Sequence, residues 1–240
     1  ISISGPNTVL NTITAEALDE IANRLEKAKD VNKEAAAIIK ETINKHGRVI
    51  FNGNNYSEDW VKEAKKRGLP NIRSTVEALE VLVKPETAKL FEKYKVLTKG
   101  ELHSRYEVYL EKYSKDINIE ARASIEMVRR LFIPAVMRYT GELAGIVSSL
   151  RSAGASSSVQ KELLSEITLL LASASKKLET LEAVTKKAQG ISEALTRAVS
   201  FRDKVVPAAN DLRKDIDTLE TLLPTCSWPV PSYADMLFKL

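Results

Sequence analysis

Glycine and proline are both scarce in this sequence, with 9 and 8 residues among 240. Average usage of roughly 7% and 5% would give about 17 and 12. A chain so poor in turn-forming residues cannot supply the many tight hairpins of a β-sandwich or a β-propeller. Alanine, leucine, glutamate and lysine are plentiful instead, and these residues favour helix. The composition therefore predicts an all-α protein.

Cysteine and long apolar runs are also nearly absent. The single cysteine, Cys226, cannot form an internal disulfide, and a four-cysteine metal site is excluded. No stretch approaches the roughly 20 apolar residues that span a bilayer, and no signal-peptide pattern opens the chain. We therefore predict a cytoplasmic protein with no membrane partner. Because the sequence begins at Ile1 rather than Met, we also expect it to be a piece of a longer protein.

Neither sign of charge predominates strongly in the sequence. The 36 basic and 32 acidic residues are interleaved and give a net charge of +4. A nucleic-acid-binding protein usually carries a concentrated basic stripe. The densest basic cluster here, Lys65-Lys66-Arg67, is typical of the solvated end of a helix. We therefore expect no nucleic-acid partner.

Residues that could carry chemistry are few and isolated. No Walker-type phosphate loop and no GxGxxG run occurs, and His46 and His103 lack a second histidine or cysteine at ligand spacing. Glu107 and Glu111 fit a solvated helix face better than a catalytic pair. Four tyrosines could stack on bases, yet their helical spacing favours core packing. They are Tyr106, Tyr109, Tyr113 and Tyr139. The residues themselves indicate no catalytic, cofactor-binding or metal-binding site in this chain.

Hydrophobic periodicity predicts a series of short helices in the first half. Apolar residues at steps of four, from Ile13 to Leu25, form the first amphipathic helix. Shorter helical patterns follow to about residue 113, and Arg48-Val49-Ile50-Phe51 is the only strand-like run. Capping boxes predict three helix starts. They are Ser74 with Glu77, Thr98 with Glu101, and Ser157 with Gln160.

Three long helical patterns dominate the second half, at about residues 118–150, 159–189 and 191–223. Pro134 and Pro207 each remove a backbone hydrogen bond inside such a pattern, which predicts a kink. The predicted fold class is all-α, with a cluster of short helices packed on a bundle of three long, proline-kinked antiparallel helices. The aromatic-rich C-terminal tail is expected to dock on a surface.

Four runs of sequence resemble one enzyme family. They are Ser4-Gly5-Pro6-Asn7-Thr8-Val9-Leu10-Asn11-Thr12-Ile13; Ile50-Phe51-Asn52-Gly53-Asn54 with Tyr56-Ser57-Glu58 and Trp60-Val61-Lys62-Glu63-Ala64; Ser104-Arg105-Tyr106-Glu107 with Asn118-Ile119-Glu120-Ala121 and Tyr139-Thr140-Gly141-Glu142-Leu143; and Trp228-Pro229 with Pro231, Tyr233 and Leu237-Phe238. Together they span nearly the whole chain in order. The chain resembles the C-terminal region of type III glutamine synthetase.

This resemblance implies three segments: residues 1–29 as the C-terminal helix of the catalytic domain, residues 30–115 as a short-helix cluster with one short strand, and residues 116–240 as a long-helix bundle with a docked C-terminal tail. The family's glutamate-, metal- and nucleotide-binding segments lie upstream. No catalytic, cofactor-binding or metal-binding residue therefore carries over to this chain. The parent enzyme implied is a glutamate–ammonia ligase that uses ATP and Mg²⁺ or Mn²⁺.

The resemblance also implies a structural, assembly or regulatory role for a segment that is inactive on its own. Its expected partners are the catalytic domain of the same chain and further copies in a homo-oligomer. The apolar face of the first helix, with Ile13, Leu18, Ile21 and Leu25, would lie against that catalytic domain. The alternative is an autonomous helical scaffold that binds another protein.

Overall fold

The computed structural model describes residues 3–231 and 233–237. Within these residues, α-helices follow one another along the chain. They are α1 Ser4–Glu26, α2 Val31–His46, α3 Glu58–Lys66, α4 Thr75–Glu80, α5 Pro85–Lys93, α6 Lys99–Met127, α7 Ile133–Ser152, α8 Ser158–Gln189, α9 Ala194–Ser200, α10 Val206–Leu222 and α11 Tyr233–Leu237. Helix makes up 82% of the structure and no strand occurs in the part described. The predicted all-α class is confirmed.

The strand predicted at residues 48–51 is wrong. Gly47–Val49 forms a 3₁₀ turn directly after α2, and Ile50 follows it with extended backbone angles, φ −80° and ψ 116°. The Ile50 carbonyl accepts a hydrogen bond from the Arg67 side chain at 2.7 Å. A strand needs its backbone groups for a neighbouring strand, and here a side chain takes the acceptor.

The chain divides into two compact units, Ile1–Tyr106 and Glu107–Leu240. In the first unit, α1 contacts α2 and α5, and a small core forms around Phe91, where Val9 of α1 packs on the edge. In the second unit, α8 contacts both α7 and α10. The three-segment division implied by the resemblance stays a prediction.

The longest element is one continuous helix of 54 residues, from 99 to 152. Sequence reasoning placed a break near residues 113–118, and that break is absent. Neither glycine nor proline occurs between Glu101 and Ile133, so nothing interrupts the backbone ladder. The buried Ser114 satisfies its hydroxyl by donating to the Leu110 carbonyl at 3.0 Å.

A π-helical turn precedes each interior proline. Val128–Phe132 lies before Pro134, and Phe201–Val205 lies before Pro207. In each turn the closing N–H donates to a carbonyl five residues back rather than four. The wider turn gives room for a ring that would otherwise clash with the carbonyl four residues earlier, although the proline itself has no N–H to donate to the ladder. The predicted kinks and the antiparallel arrangement stay predictions.

Apolar contacts of α8 form the core of the second unit. Ile167 and Leu181 of α8 are fully buried, as is Leu219 of α10. Lys177 Nζ pairs with Asp215 Oδ1 at 2.6 Å and joins α8 to α10.

The tail after α10 contacts the core through aromatic rings. Trp228 stacks on Phe132, with ring centroids 4.8 Å apart and planes inclined by 18°. Val230 also packs against the core of the second unit. Stacked aromatic pairs stabilise a contact beyond the area that they bury, so the π turn that carries Phe132 also positions the tail.

Local capping signals were informative at two of the three predicted boxes. Ser74 Oγ accepts from the Glu77 N–H at 3.3 Å, and Thr98 and Glu101 form the reciprocal pair. Ser157 makes no side-chain capping bond at the start of α8. Its side chain is buried instead.

Truncation of Leu181 is expected to destabilise the second unit. Leu181→Ala removes a fully buried side chain from α8, which costs about 2–5 kcal/mol of unfolding free energy. Leu169→Ala in the same helix is the matched control, because Leu169 is 70% exposed and its change should stay within about 0.5 kcal/mol. Urea denaturation measures both, and equal effects of the two substitutions would contradict this core.

Candidate functional site

The residues considered for chemistry occupy ordinary structural positions. His46 is the last residue of α2, and the His103 ring in α6 stacks on Tyr106 with centroids 6.2 Å apart. Cys226 is exposed in the turn after α10. Glu111 pairs with Lys115 at 3.0 Å on the surface of α6. None of these contacts resembles a nucleophile beside its base.

The described residues do not fit the divalent metal that the resemblance implies for the parent enzyme. They contain no group of three or more His, Cys, Asp and Glu side chains that could hold a metal ion. We therefore assign no catalytic step through a metal to this chain.

In the same ranges, 3–231 and 233–237, no helix is long and apolar enough to cross a membrane.

Two of the four tyrosines considered as a base-stacking platform belong to the core. Tyr113 and Tyr139 pack, partly buried, against the apolar side chains of the second unit. Desolvation by burial raises the pKa of Tyr113, although the nearby positive charge of Arg202 acts in the opposite direction. The core-packing interpretation therefore holds for both residues.

Arg67, in the basic cluster at residues 65–67, makes hydrogen bonds within the first unit. Arg67 Nε donates to Glu63 Oε1 at 2.6 Å and lowers the pKa of that carboxyl. Its Nη1 donates to the carbonyls of Arg48 and Ile50, at 3.2 and 2.7 Å. One guanidinium thus joins the end of α3 to the loop after α2, as its fork of donors allows. For Arg67, the interpretation as a solvated helix end was wrong.

Two aromatic rings complete the contact around Arg67. The guanidinium carbon lies 5.8 Å from the Phe51 ring centroid and 6.0 Å from that of Trp60. The two rings are themselves 4.5 Å apart. A Cβ at Gly53 would lie 2.7 Å from the Phe51 ring, so a larger residue there would require the ring to shift. These contacts hold the loop at residues 50–57 in one conformation.

Helix α1 carries its large apolar side chains on the face turned away from its own unit. Leu10, Ile13, Leu18 and Ile21 are between 38% and 61% exposed, and their spacing of three to five residues places them on one side of the helix. An amphipathic helix normally turns such a stripe toward its core. We call this surface, formed by Leu10, Ile13, Leu18 and Ile21, the outer face of α1.

Ion pairs hold the opposite side of α1 to α5. Lys93 Nζ lies 2.6 Å from Glu16 Oε2 and 3.1 Å from Asp19 Oδ2. The Tyr94 hydroxyl hydrogen-bonds to both carboxylates, at 2.8 Å to Asp19 and closer to Glu16. A phenol has a single proton to donate, so it serves one carboxylate at a time while Lys93 serves both.

A second ion cluster ties α1 to α2. Arg24 Nη2 lies 2.6 Å from Glu34 Oε1, and Arg24 Nη1 lies 2.6 Å from Glu41 Oε2. The three side chains are between 31% and 61% exposed. We call the two clusters together the ionic seam. Its members are Glu16, Asp19, Arg24, Glu34, Glu41, Lys93 and Tyr94.

The seam shifts the pKa values of its members in the direction that favours the charged pairs. Lys93 first and then Tyr94 lower the pKa of Glu16 by hydrogen bonding, and Tyr94 first and then Lys93 lower that of Asp19. Hydrogen bonding to Arg24 lowers the pKa of Glu41. Desolvation, and then the Glu16 contact, raises the pKa of Tyr94 to about 12. Both carboxylates thus stay ionised, and the phenol keeps its proton, at neutral pH.

Comparison with known proteins connects this fold to one enzyme family. Residues 34–151 match the family model of the glutamine synthetase C-terminal domain. A glutamine synthetase of Butyrivibrio fibrisolvens is 35% identical over 213 residues, which cover 88% of this chain and 30% of that protein. The type-3 glutamine synthetase of Dictyostelium discoideum is 36% identical over 248 residues, which cover 98% of this chain and 33% of that protein.

The chain belongs to the glutamine synthetase C-terminal domain family. A further relative, the glutamine synthetase of Bacteroides fragilis (strain YCH46), is 27% identical and covers 95% of the chain. The resemblance to the C-terminal region of type III glutamine synthetase is confirmed. The chain spans about a third of the length of the relatives that it matches.

Helix α1 lies outside the part of the chain that matches the C-terminal domain model. That match begins at residue 34, within α2, whereas α1 is Ser4–Glu26. The similarity to the Dictyostelium glutamine synthetase nevertheless extends over 98% of the chain. Helix α1 is therefore shared with a complete glutamine synthetase but is separate from the domain that the family model defines.

Removal of Arg67 is expected to loosen one loop of this glutamine synthetase domain. Arg67→Ala loses two bonds to backbone carbonyls and the contact with two rings, which together contribute about 1–2 kcal/mol. Hydrogen exchange in residues 50–57 should accelerate about tenfold, as that energy implies. Lys66→Ala, on the exposed neighbour in α3, is the control. Equal exchange in both variants would show that Arg67 does not hold the loop.

Proposed function

We propose that this chain is the non-catalytic C-terminal part of a glutamine synthetase and that its role is structural, in the assembly of the enzyme. The match of residues 34–151 to the C-terminal domain model carries the proposal. The length of the relatives supports it, because about two thirds of each lies outside the matched part. We place the protein in the cytoplasm, and the exposed thiol of Cys226 suits a reducing compartment.

The parent protein in this proposal ligates ammonia to glutamate, with ATP and Mg²⁺ or Mn²⁺. The residues for that reaction belong to the remainder of the polypeptide. Phosphoryl transfer requires metal ions and cationic groups at the reacting oxygens, and the described part of this chain brings no such donor set together. In this proposal the chain contributes helical structure beside the catalytic region.

The partner of the outer face of α1, in this proposal, is the catalytic region of the same protein. Helix α1 precedes the residues that match the C-terminal domain model. Its large apolar side chains are exposed and form the outer face. Full burial of each large apolar side chain contributes about 1.5–3 kcal/mol. Several such side chains on one helix face are typical of a protein–protein contact.

Activity measurements test the proposed function directly. The purified chain should form no glutamine from glutamate, ammonia, ATP and Mg²⁺, and it should not bind ATP in equilibrium dialysis. The longer polypeptide that includes it should do both. Glutamine formation by the 240-residue chain, or none by the longer polypeptide, would overturn the proposal, and the second result would favour an autonomous scaffold.

Self-association is expected when the outer face of α1 has no catalytic region to cover it. The chain alone should sediment as a dimer or larger oligomer, and Leu18→Glu should shift it toward monomer because a charge then lies in the contact. Leu169→Glu is the control, since Leu169 is at least as exposed, on α8 of the other unit. A monomeric chain, or an equal response to both substitutions, would contradict this use of the outer face.

A further inference from the structure

In the part of the chain that the structure describes, the ionic seam attaches α1 to its unit alongside a small apolar contact. On the inner side of α1, Thr12 is buried, but its hydroxyl is bonded within the helix to the Thr8 carbonyl. Val9 is the α1 side chain that packs on the small core around Phe91. The inner side also carries Glu16 and Asp19 of the seam, whereas Arg24, three residues after Ile21, lies beside the outer face.

Charged contacts of this kind are weak and depend on salt. The ion-paired side chains of the seam are between 31% and 61% exposed. An exposed ion pair contributes little to stability, and at 1 M salt the Debye length falls to about 3 Å. A contact of the outer face does not weaken with salt in this way, because burial of apolar side chains is not screened.

We propose that the ionic seam is a joint at which α1 separates from α2 and α5 while its outer face stays on the catalytic region. The inference rests on the proposed function for the identity of that outer partner. The weaker, charged side of a helix opens before its apolar side, so motion between the two parts of the enzyme occurs at the seam. This is a shear or opening of packed helices, one of the common kinds of domain motion.

Proton uptake opens the same joint. The groups that face the α1 carboxylates are Lys93 and Tyr94 from the α5 side, and Glu34 and Glu41 of α2 face Arg24. Glu20 and Lys27 of α1 line the same cleft. This list includes every charged group described at the seam.

The sign of the pH dependence follows from the direction of each pKa shift. Glu16 and Asp19 have lowered pKa values, so the attachment is fully present above their ordinary values of 4.5 and 3.8 and is lost as pH falls through the lowered ones. Tyr94 has a raised pKa. Its contribution to the attachment of α1 is therefore present below the ordinary tyrosine pKa of 10.0 and is lost as pH rises toward about 12. The joint is closed between about pH 5 and 10.

Hydrogen exchange of this chain in solution tests the joint. Most of the stability of a protein helix comes from the packing of its face on a neighbour, so opening removes most of the protection of the α1 amides. Amides in residues 10–24 should exchange at least tenfold faster at 1 M than at 50 mM NaCl, while those in residues 165–185 of α8 stay unchanged. The Leu18→Glu variant, measured in parallel, removes any protection that self-association adds. Protection of α1 that is unchanged or greater at 1 M NaCl overturns the joint.

Charge reversal separates the ion pairs from general salt effects. Lys93→Glu should raise exchange in α1 at 50 mM NaCl to the high-salt rate, and Glu16→Lys added to it should restore most of the protection. Lys89→Glu, on the exposed surface of α5, is the matched control and should have no effect. Failure of the double variant to recover, with α8 still protected, also overturns the joint.

The outcomes distinguish the joint from the proposed function. A longer polypeptide that forms glutamine, together with α1 protection that does not respond to salt, refutes the joint alone. Salt-sensitive protection in a protein without ligase activity refutes the proposed function and leaves an ionic hinge of unknown partner.

Discussion

Burial of α8 against α7 and α10 is the interaction on which the second unit depends. Long helices share a core only if their apolar stripes stay aligned over many turns. Pro134 and Pro207 would disturb that alignment, because each removes a donor and pushes on the preceding turn. The π turns before them absorb the disturbance, and one of them also places Phe132 under Trp228. The core of the second unit, the π turns and the tail after α10 thus depend on one another.

Periodicity and composition were sufficient for the helical class and for most helix starts, since these depend on neighbours within one turn. Ser74 and Thr98 cap as their local sequence indicates. The errors at residues 48–51 and at Arg67 share a physical cause. A hydrogen bond between Arg67 and the Ile50 carbonyl joins residues 17 apart, and no local pattern predicts such a bond.

The family resemblance predicts the orientation of α1, whereas the local pattern does not. The sequence shows an apolar stripe at Ile13 and Ile21, and amphipathicity alone would turn that stripe toward the nearest core. In the structure both side chains are exposed, and Glu16 of α1 pairs with Lys93, 77 residues away in the chain. A helix with ion pairs to its own unit and exposed apolar side chains elsewhere suits the proposed assembly role.

The central claim is that the catalytic region covers the outer face of α1, and hydroxyl-radical footprinting of the longer polypeptide tests it most directly. Leu169 is an internal reference, because it is exposed on α8 in this structure. The account predicts that Leu10 and Leu18 are oxidised at least fivefold more slowly than Leu169. Oxidation of all three leucines at similar rates would contradict it.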